Sequence, residues 1–192
     1  MNDVLADGLA NPWVLGLVAG FLLIIWLLVR CRRAPPRTLA SVINDISVAR
    51  IQGLVIPKAD EGEIQIDYLM LTAQGVLIIE IKDVAGAVFG SDKMQDWTVI
   101  GKNNRFTFSN PQPALYDRVD AVKKIVRQVP VKGRIVFLDG AVFKKGVPNM
   151  VCSLDELLSE FVEEDEAAAN AKIEAFKPYW EQIQARVDQE PF

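Results

Sequence analysis

The chain has 192 residues, 51% of them hydrophobic, a formal net charge of −4 and no histidine. Without histidine there is no Ser-His-Asp triad, no histidine-ligated zinc and no histidine-dependent nuclease scheme, so hydrolytic chemistry has to rest on carboxylates, lysine and a bound metal. Cys31 and Cys152, far apart, exclude a disulfide framework, and the acidic total excludes strong unspecific binding to nucleic acid.

Residues 1–11 form a short extracytoplasmic N-terminus, and a transmembrane helix is expected over 12–30. Its centre, Trp13–Val29, is an uncharged apolar run. As a helix it spans roughly 25 Å, enough to cross a bilayer with help from interfacial Trp13, Trp26 and the arginines that follow. A cleaved signal peptide fits poorly, because Asp3 and Asp7 precede the run without any basic residue and no small-residue cleavage site follows. A buried core helix fits poorly too, since few globular helices are apolar on every side. Arg30, Arg32, Arg33 and Arg37 follow the run, which places the C-terminal bulk in the cytoplasm of a single-pass protein of a bacterial inner (plasma) membrane. Gly16 and Gly20 stand at the spacing that lets two anchors pack as a homodimer.

A basic linker, 31–37, leads to a domain over 38–152 and a C-terminal helical segment over 153–192. Thr38–Asp45 is expected as a short helix and Ser47–Ile56 as a strand stopped by Pro57. A turn over 58–62 precedes the strands Ile64–Thr72 and Val76–Lys82, and Val84–Gly90 is punctuated by glycine. Trp97–Ile100 and Arg105–Ser109 look like two further strands. Ala114–Val129 has helical periodicity, with Leu115, Val119, Val122, Val126 and Val129 as its buried stripe. Gly133–Leu138 and Met150–Cys152 are short strands, and Ser153 with Glu156 has the spacing of a capping box. The tail from Ala167 to Asp188 is expected to be helical with a break near Pro178. The class is α/β, a mixed central sheet flanked by helices, preceded by one transmembrane helix.

Two charge blocks stand out. Basic residues dominate from Arg118 to Lys145, and Lys123, Lys124 and Arg127 are the candidates to track a phosphate backbone. Acids dominate from Asp155 to Glu190, which suits a solvated helix face.

The most informative pattern is the hairpin. Glu80 and Lys82 are two apart on one strand and so share a face, and Asp67 lies on the partner strand. If Ala73-Gln74 forms a two-residue loop, Asp67 pairs with Glu80; if Gln74-Gly75 forms it, Asp67 pairs with Lys82. Either way the three polar groups converge, with cross-strand Cβ atoms about 5 Å apart. The bland alternative is an ion pair on a solvated sheet face. Against it, both strands are otherwise apolar, so charge there is costly, and two neighbouring carboxylates call for a cation between them. Carboxylate oxygens suit Mg²⁺.

Ile66-Asp67-Tyr68-Leu69, Gln74–Lys82, Gly86-Ala87-Val88-Phe89-Gly90, Trp97 and Asn110-Pro111 occur in an order and spacing that resembles the nuclease-related domain (NERD) family, over roughly Ser47 to Val129. That family is similar to the restriction-endonuclease-like PD-(D/E)xK superfamily. The resemblance implies a metal-dependent nuclease hydrolysing phosphodiester bonds of DNA or RNA. Asp67 and Glu80 would hold Mg²⁺ or Mn²⁺ with the Ile81 carbonyl, and Lys82 would orient water or stabilise charge on the phosphate. This chain departs from the family at three places. Ala34-Pro35-Pro36 stands where an early Gly-Glu pair is usual, leaving only Asp45 as a substitute. Tyr68 replaces a histidine, and Ala114 a glutamine, though Gln112 is close by. The alternative implied is a catalytically degenerate domain acting as a nucleic-acid or protein binding scaffold at the membrane.

Overall fold

The computed structural model describes residues 20–21, 37–57 and 62–189. Apart from Gly20 and Phe21, which have helical backbone, the transmembrane helix expected over 12–30 lies outside the described residues, as do Gly16 and most of the linker. Among the described residues no helix is long and apolar enough to cross a membrane. Met1–Pro36 and Arg37–Phe192 form two separate compact units, and every described strand lies in the second.

Helix α1 (Leu39–Ile46) begins where the Thr38 side chain accepts a hydrogen bond from the Ser41 amide, satisfying one of the donors that a helix start leaves open. Strands β1 (Ala49–Pro57), β2 (Glu63–Thr72) and β3 (Gly75–Lys82) come next as an antiparallel meander. Then come β4 (Gly86–Phe89), β5 (Asp96–Ile100), β6 (Arg105–Ser109), α2 (Gln112–Ile125), β7 (Val131–Phe137), β8 (Ala141–Phe143) and β9 (Val151–Cys152). Two helices, α3 (Leu154–Phe161) and α4 (Glu166–Gln189), close the chain.

The strands form two sheets rather than the one expected. The larger has the order β1-β2-β3-β7-β9, with β7 and β9 added in parallel, and the smaller has the order β6-β5-β4-β8. Strand β8 was not anticipated: it is three residues long and pairs in parallel with β4, a non-local contact that leaves no alternation to detect. The larger sheet is buried on both faces, which its apolar strands require. One face, with Leu69, Leu71, Val76, Ile78 and Ile135, packs against α2, α4 and the smaller sheet. Met70, Leu77, Ile79 and Val136 on the other face pack against α1 and α3.

Two helical expectations need correcting. Helix α2 stops at Ile125, because Val126 turns to extended backbone; Val126 and Val129 are still buried, so their apolar spacing marked the core rather than more helix. Helix α4 runs through Pro178 without a break. Proline removes one intrahelical hydrogen bond, but Ile173, Trp180 and Ile183 are buried on either side of it and hold the helix to the sheet.

Close packing demands glycine at two places that shape the site. A Cβ on Gly133 of β7 would lie 2.9 Å from Val119 Cγ2, so α2 sits directly on the strand. A Cβ on Gly90 would lie 2.5 Å from Cδ2 of the Trp97 ring, which is fully buried.

Candidate functional site

The hairpin register settles the turn. Thr72 pairs with Gly75 and Tyr68 with Ile79, so Ala73-Gln74 is the two-residue loop. The positive φ falls on Gly75, just after the loop, at +113°. The Thr72 hydroxyl accepts from the Gln74 amide at 3.1 Å and donates to the Gly75 carbonyl at 2.9 Å, locking the turn. The paired register ends at Tyr68 and Ile79, one residue short of Asp67 on one strand and of Glu80 on the other.

Glu80 is 9% exposed and lies on β3 beside Ile135 of β7. Both of its oxygens are engaged. Lys82 Nζ lies 2.7 Å from Oε1, and an Arg118 guanidinium nitrogen donates to Oε2 at 2.8 Å. The Lys82 ammonium also faces the Phe108 ring, 5.8 Å from its centroid. Arg118 was expected only as part of a basic block. It comes from α2, brought close by the contact at Gly133, and it also donates to the Gln65 carbonyl on β2. One guanidinium therefore ties β2 to β3 just beyond the last pair of their ladder. A signal for it existed: Arg118 stands three residues after Leu115 and four before Val122, at the edge of the helix's buried stripe. Arginine in such a place calls for a partner.

Asp67 is exposed, and its side chain makes no hydrogen bond or ion pair with any described residue. The alternation used to align it does not run through it. Leu69 and Leu71 face the same core as Ile66 and Ile64, so β2 shifts phase by one residue at Asp67. Strand β1 shifts with it: Ala49 and Ile51 share that core with Leu54 and Ile56. At the shift Gly53 has φ +65°, and Gly53 and Asp67 are missing from the β1–β2 ladder. A Cβ on Gly53 would meet nothing within 4 Å, so the flank of β1 there is open.

The other candidates lie elsewhere. Ile81 pairs with Val136 of β7. Lys123, Lys124 and Arg127 are exposed near the end of α2, with Lys123 4.0 Å from Asp120. Asp45 is exposed on α1, the helix that covers the opposite face of the sheet. Gln112 is buried, and its amide donates to Asp92 Oδ1 and to the Asn149 carbonyl, both at 2.7 Å, while its own carbonyl oxygen has no partner. It fixes the start of α2 to two loops and makes no contact with Glu80. A groove of about 350 Å³ beyond the end of β7, lined by Asp139, Val147, Cys152 and Glu156 among others, contains none of the hairpin residues.

Whether a divalent metal suits these residues turns on the donors and their present partners. Glu80, Asp67 and a strand carbonyl are hard oxygen donors of the kind Mg²⁺ and Mn²⁺ take, and one or two carboxylates suffice when substrate phosphate completes the shell. Among the described residues no three acidic or cysteine side chains gather as a metal cluster. Glu80 already attracts cations, namely Lys82 and Arg118. The donors therefore fit a divalent ion, on condition that one of these two partners gives way.

The profile of the nuclease-related domain family matches residues 37–138, just over half of the chain, and takes in the hairpin, β4 to β6, α2 and β7. An uncharacterized protein of Bacillus anthracis is 30% identical over 64 residues, which is 33% of this chain; the match spans only 30% of that relative's length. No solved structure matches the chain.

Proposed function

We propose, for a chain that belongs to the nuclease-related domain family, a nuclease whose centre is the β2–β3 hairpin and whose substrate is the phosphodiester backbone of DNA or RNA. The observation that carries this reading is the contact of Glu80 with Lys82 at the end of β3, inside the matched region. Mg²⁺ or Mn²⁺, held by Glu80 and Asp67 with the Ile81 carbonyl, would supply a polarised water and neutralise charge at the phosphate. Lys82 has the part of presenting its ammonium to the attacking water or to a phosphate oxygen. Glu80 on one side and the Phe108 ring on the other restrict that ammonium. Lys123, Lys124 and Arg127 would follow the backbone leaving the site, a contact that weakens as salt rises. The apolar segment 12–30 would hold the domain at the cytoplasmic face of the membrane, with Gly16 and Gly20 at an interface between two copies.

The full chain, given supercoiled DNA and single-stranded RNA with Mg²⁺ or Mn²⁺, is expected to cut at least one of them. Glu80→Ala and Lys82→Ala are each expected to remove at least ~100-fold of that rate, the size usual for losing a group that acts on transition-state charge. A wild type as inactive as both variants sinks hydrolysis. It would favour a second reading, a nucleic-acid or protein binding scaffold. The specific observation on that side is that Glu80 is neutralised by two protein cations.

A further inference from the structure

We propose that Arg118 is the resident cation of Glu80, and that a substrate phosphate draws its guanidinium away and so opens the carboxylate to a divalent ion. This deepens the reading of the hairpin as a metal-dependent centre and rests on it. Arg118 would couple the two binding events, acting as a positioning residue for the ion.

Three observations lead there. The guanidinium occupies Glu80 Oε2 at 2.8 Å while donating to the Gln65 carbonyl, so it bridges the strands that carry the two acids. Its side chain is 20% exposed, within reach of a molecule arriving from solvent. Among the groups in contact, the Glu80 carboxylate stands against two cations, Lys82 and Arg118. A divalent ion added to that set increases an excess of positive charge already present beside the guanidinium, which is repulsive. A phosphodiester arriving with the ion offsets part of this excess and offers two oxygens in the geometry that a guanidinium fork prefers. Of the two cations, Arg118 is the one carried by a separate element from Glu80. Lys82 is anchored two residues from Glu80 on the same strand and against Phe108, whereas Arg118 reaches in from a helix on a long side chain.

Linkage makes the effect reciprocal: if phosphodiester binding raises the affinity for the ion, the ion raises the affinity for phosphodiester by the same factor. The test measures Mn²⁺ binding to the full chain by calorimetry, with and without a 2′-O-methyl oligonucleotide, whose phosphodiester keeps both non-bridging oxygens. In the absence of oligonucleotide, Arg118→Gln is expected to bind Mn²⁺ about tenfold more tightly than wild type, within the usual range of such couplings. The oligonucleotide raises the affinity of wild type severalfold more than that of Arg118→Gln, where only the direct contact of phosphate with the ion remains, and equal gains overturn the proposal. Equal affinity in wild type and Arg118→Gln, with binding lost in Glu80→Gln, overturns the coupling and leaves the metal centre standing. No Mn²⁺ binding by any form at millimolar concentration overturns both. If Arg118→Gln does not fold, Arg118→Lys carries the test, since a single ammonium lacks the fork. The gain produced by oligonucleotide should then shrink about threefold relative to wild type, and an undiminished gain overturns the proposal.

Discussion

Glu80 and Lys82 could be placed together from sequence because strand alternation is local and both stand on an unbroken stretch of β3. The partner of Arg118 could not, since Glu80 lies 38 residues away on another element, although the place of Arg118 on α2 signals that it has one. The phase shift at Asp67 was equally hidden, because its cause is the left-handed backbone of Gly53 on a neighbouring strand. Away from the site, Cys152 is 7% exposed, and burial, the largest influence, pushes its thiol up to about 12 from 9.0, with Arg134 opposing and Glu156 and Glu160 reinforcing. The neutral thiol is thus favoured in the folded state. Its contribution to stability is complete below pH 9 and falls as pH rises towards 12, by up to about 1.4 kcal/mol per unit. Urea midpoints of wild type should therefore drop between pH 8 and pH 10.5 more steeply than those of Cys152→Ala, and parallel curves would contradict this.

At the scale of elements, local signals did best. The Ser153–Glu156 capping box starts α3 where its chemistry predicts, the Glu156 carboxylate accepting from the Ser153 amide at 2.7 Å, and Thr38, expected as the first residue of α1, is its cap. Failures came where tertiary contact decides: the end of α2, the continuity of α4 and the pairing of β8. The segment Val84–Gly90 is punctuated by glycine, and the structure supplies a reason at its last position. Trp97, stacked on Phe137 at 6.3 Å and edge-on to Phe143 at 6.2 Å, fills the space that a side chain at 90 would need. Gly90→Ala should therefore cost about 1–3 kcal/mol by overpacking, measured as a fall in urea midpoint, because neither the ring nor the strand has room to retreat. A change below ~0.5 kcal/mol would mean that the ring can shift.

For the whole molecule, both apolar clusters are drawn from residues 42–183, so the second compact unit contains its own core. A fragment over 37–192 is expected to unfold in one cooperative transition, with fluorescence of Trp97 and Trp180 coinciding with far-ultraviolet dichroism. Separate transitions would show that the two faces of the larger sheet are not mutually dependent. The mixed α/β class and the burial of both sheet faces were visible in the sequence, because Leu69–Leu71 of β2 and Val76–Ile79 of β3 are unbroken apolar runs. The division into two sheets was not, since it depends on which distant strands meet.

Strand β1 is the outermost strand of the larger sheet, and Gly53 interrupts its ladder between Gln52 and Leu54. An edge strand is a template on which another polypeptide can add itself, and long flat edges are where aggregation begins. Here the kink divides the edge into two stretches of four paired residues, Ala49–Gln52 and Leu54–Pro57, the second closed by a proline that has no amide hydrogen to offer. The same distortion that leaves Asp67 outside the ladder thus also denies a neighbouring molecule a continuous seam.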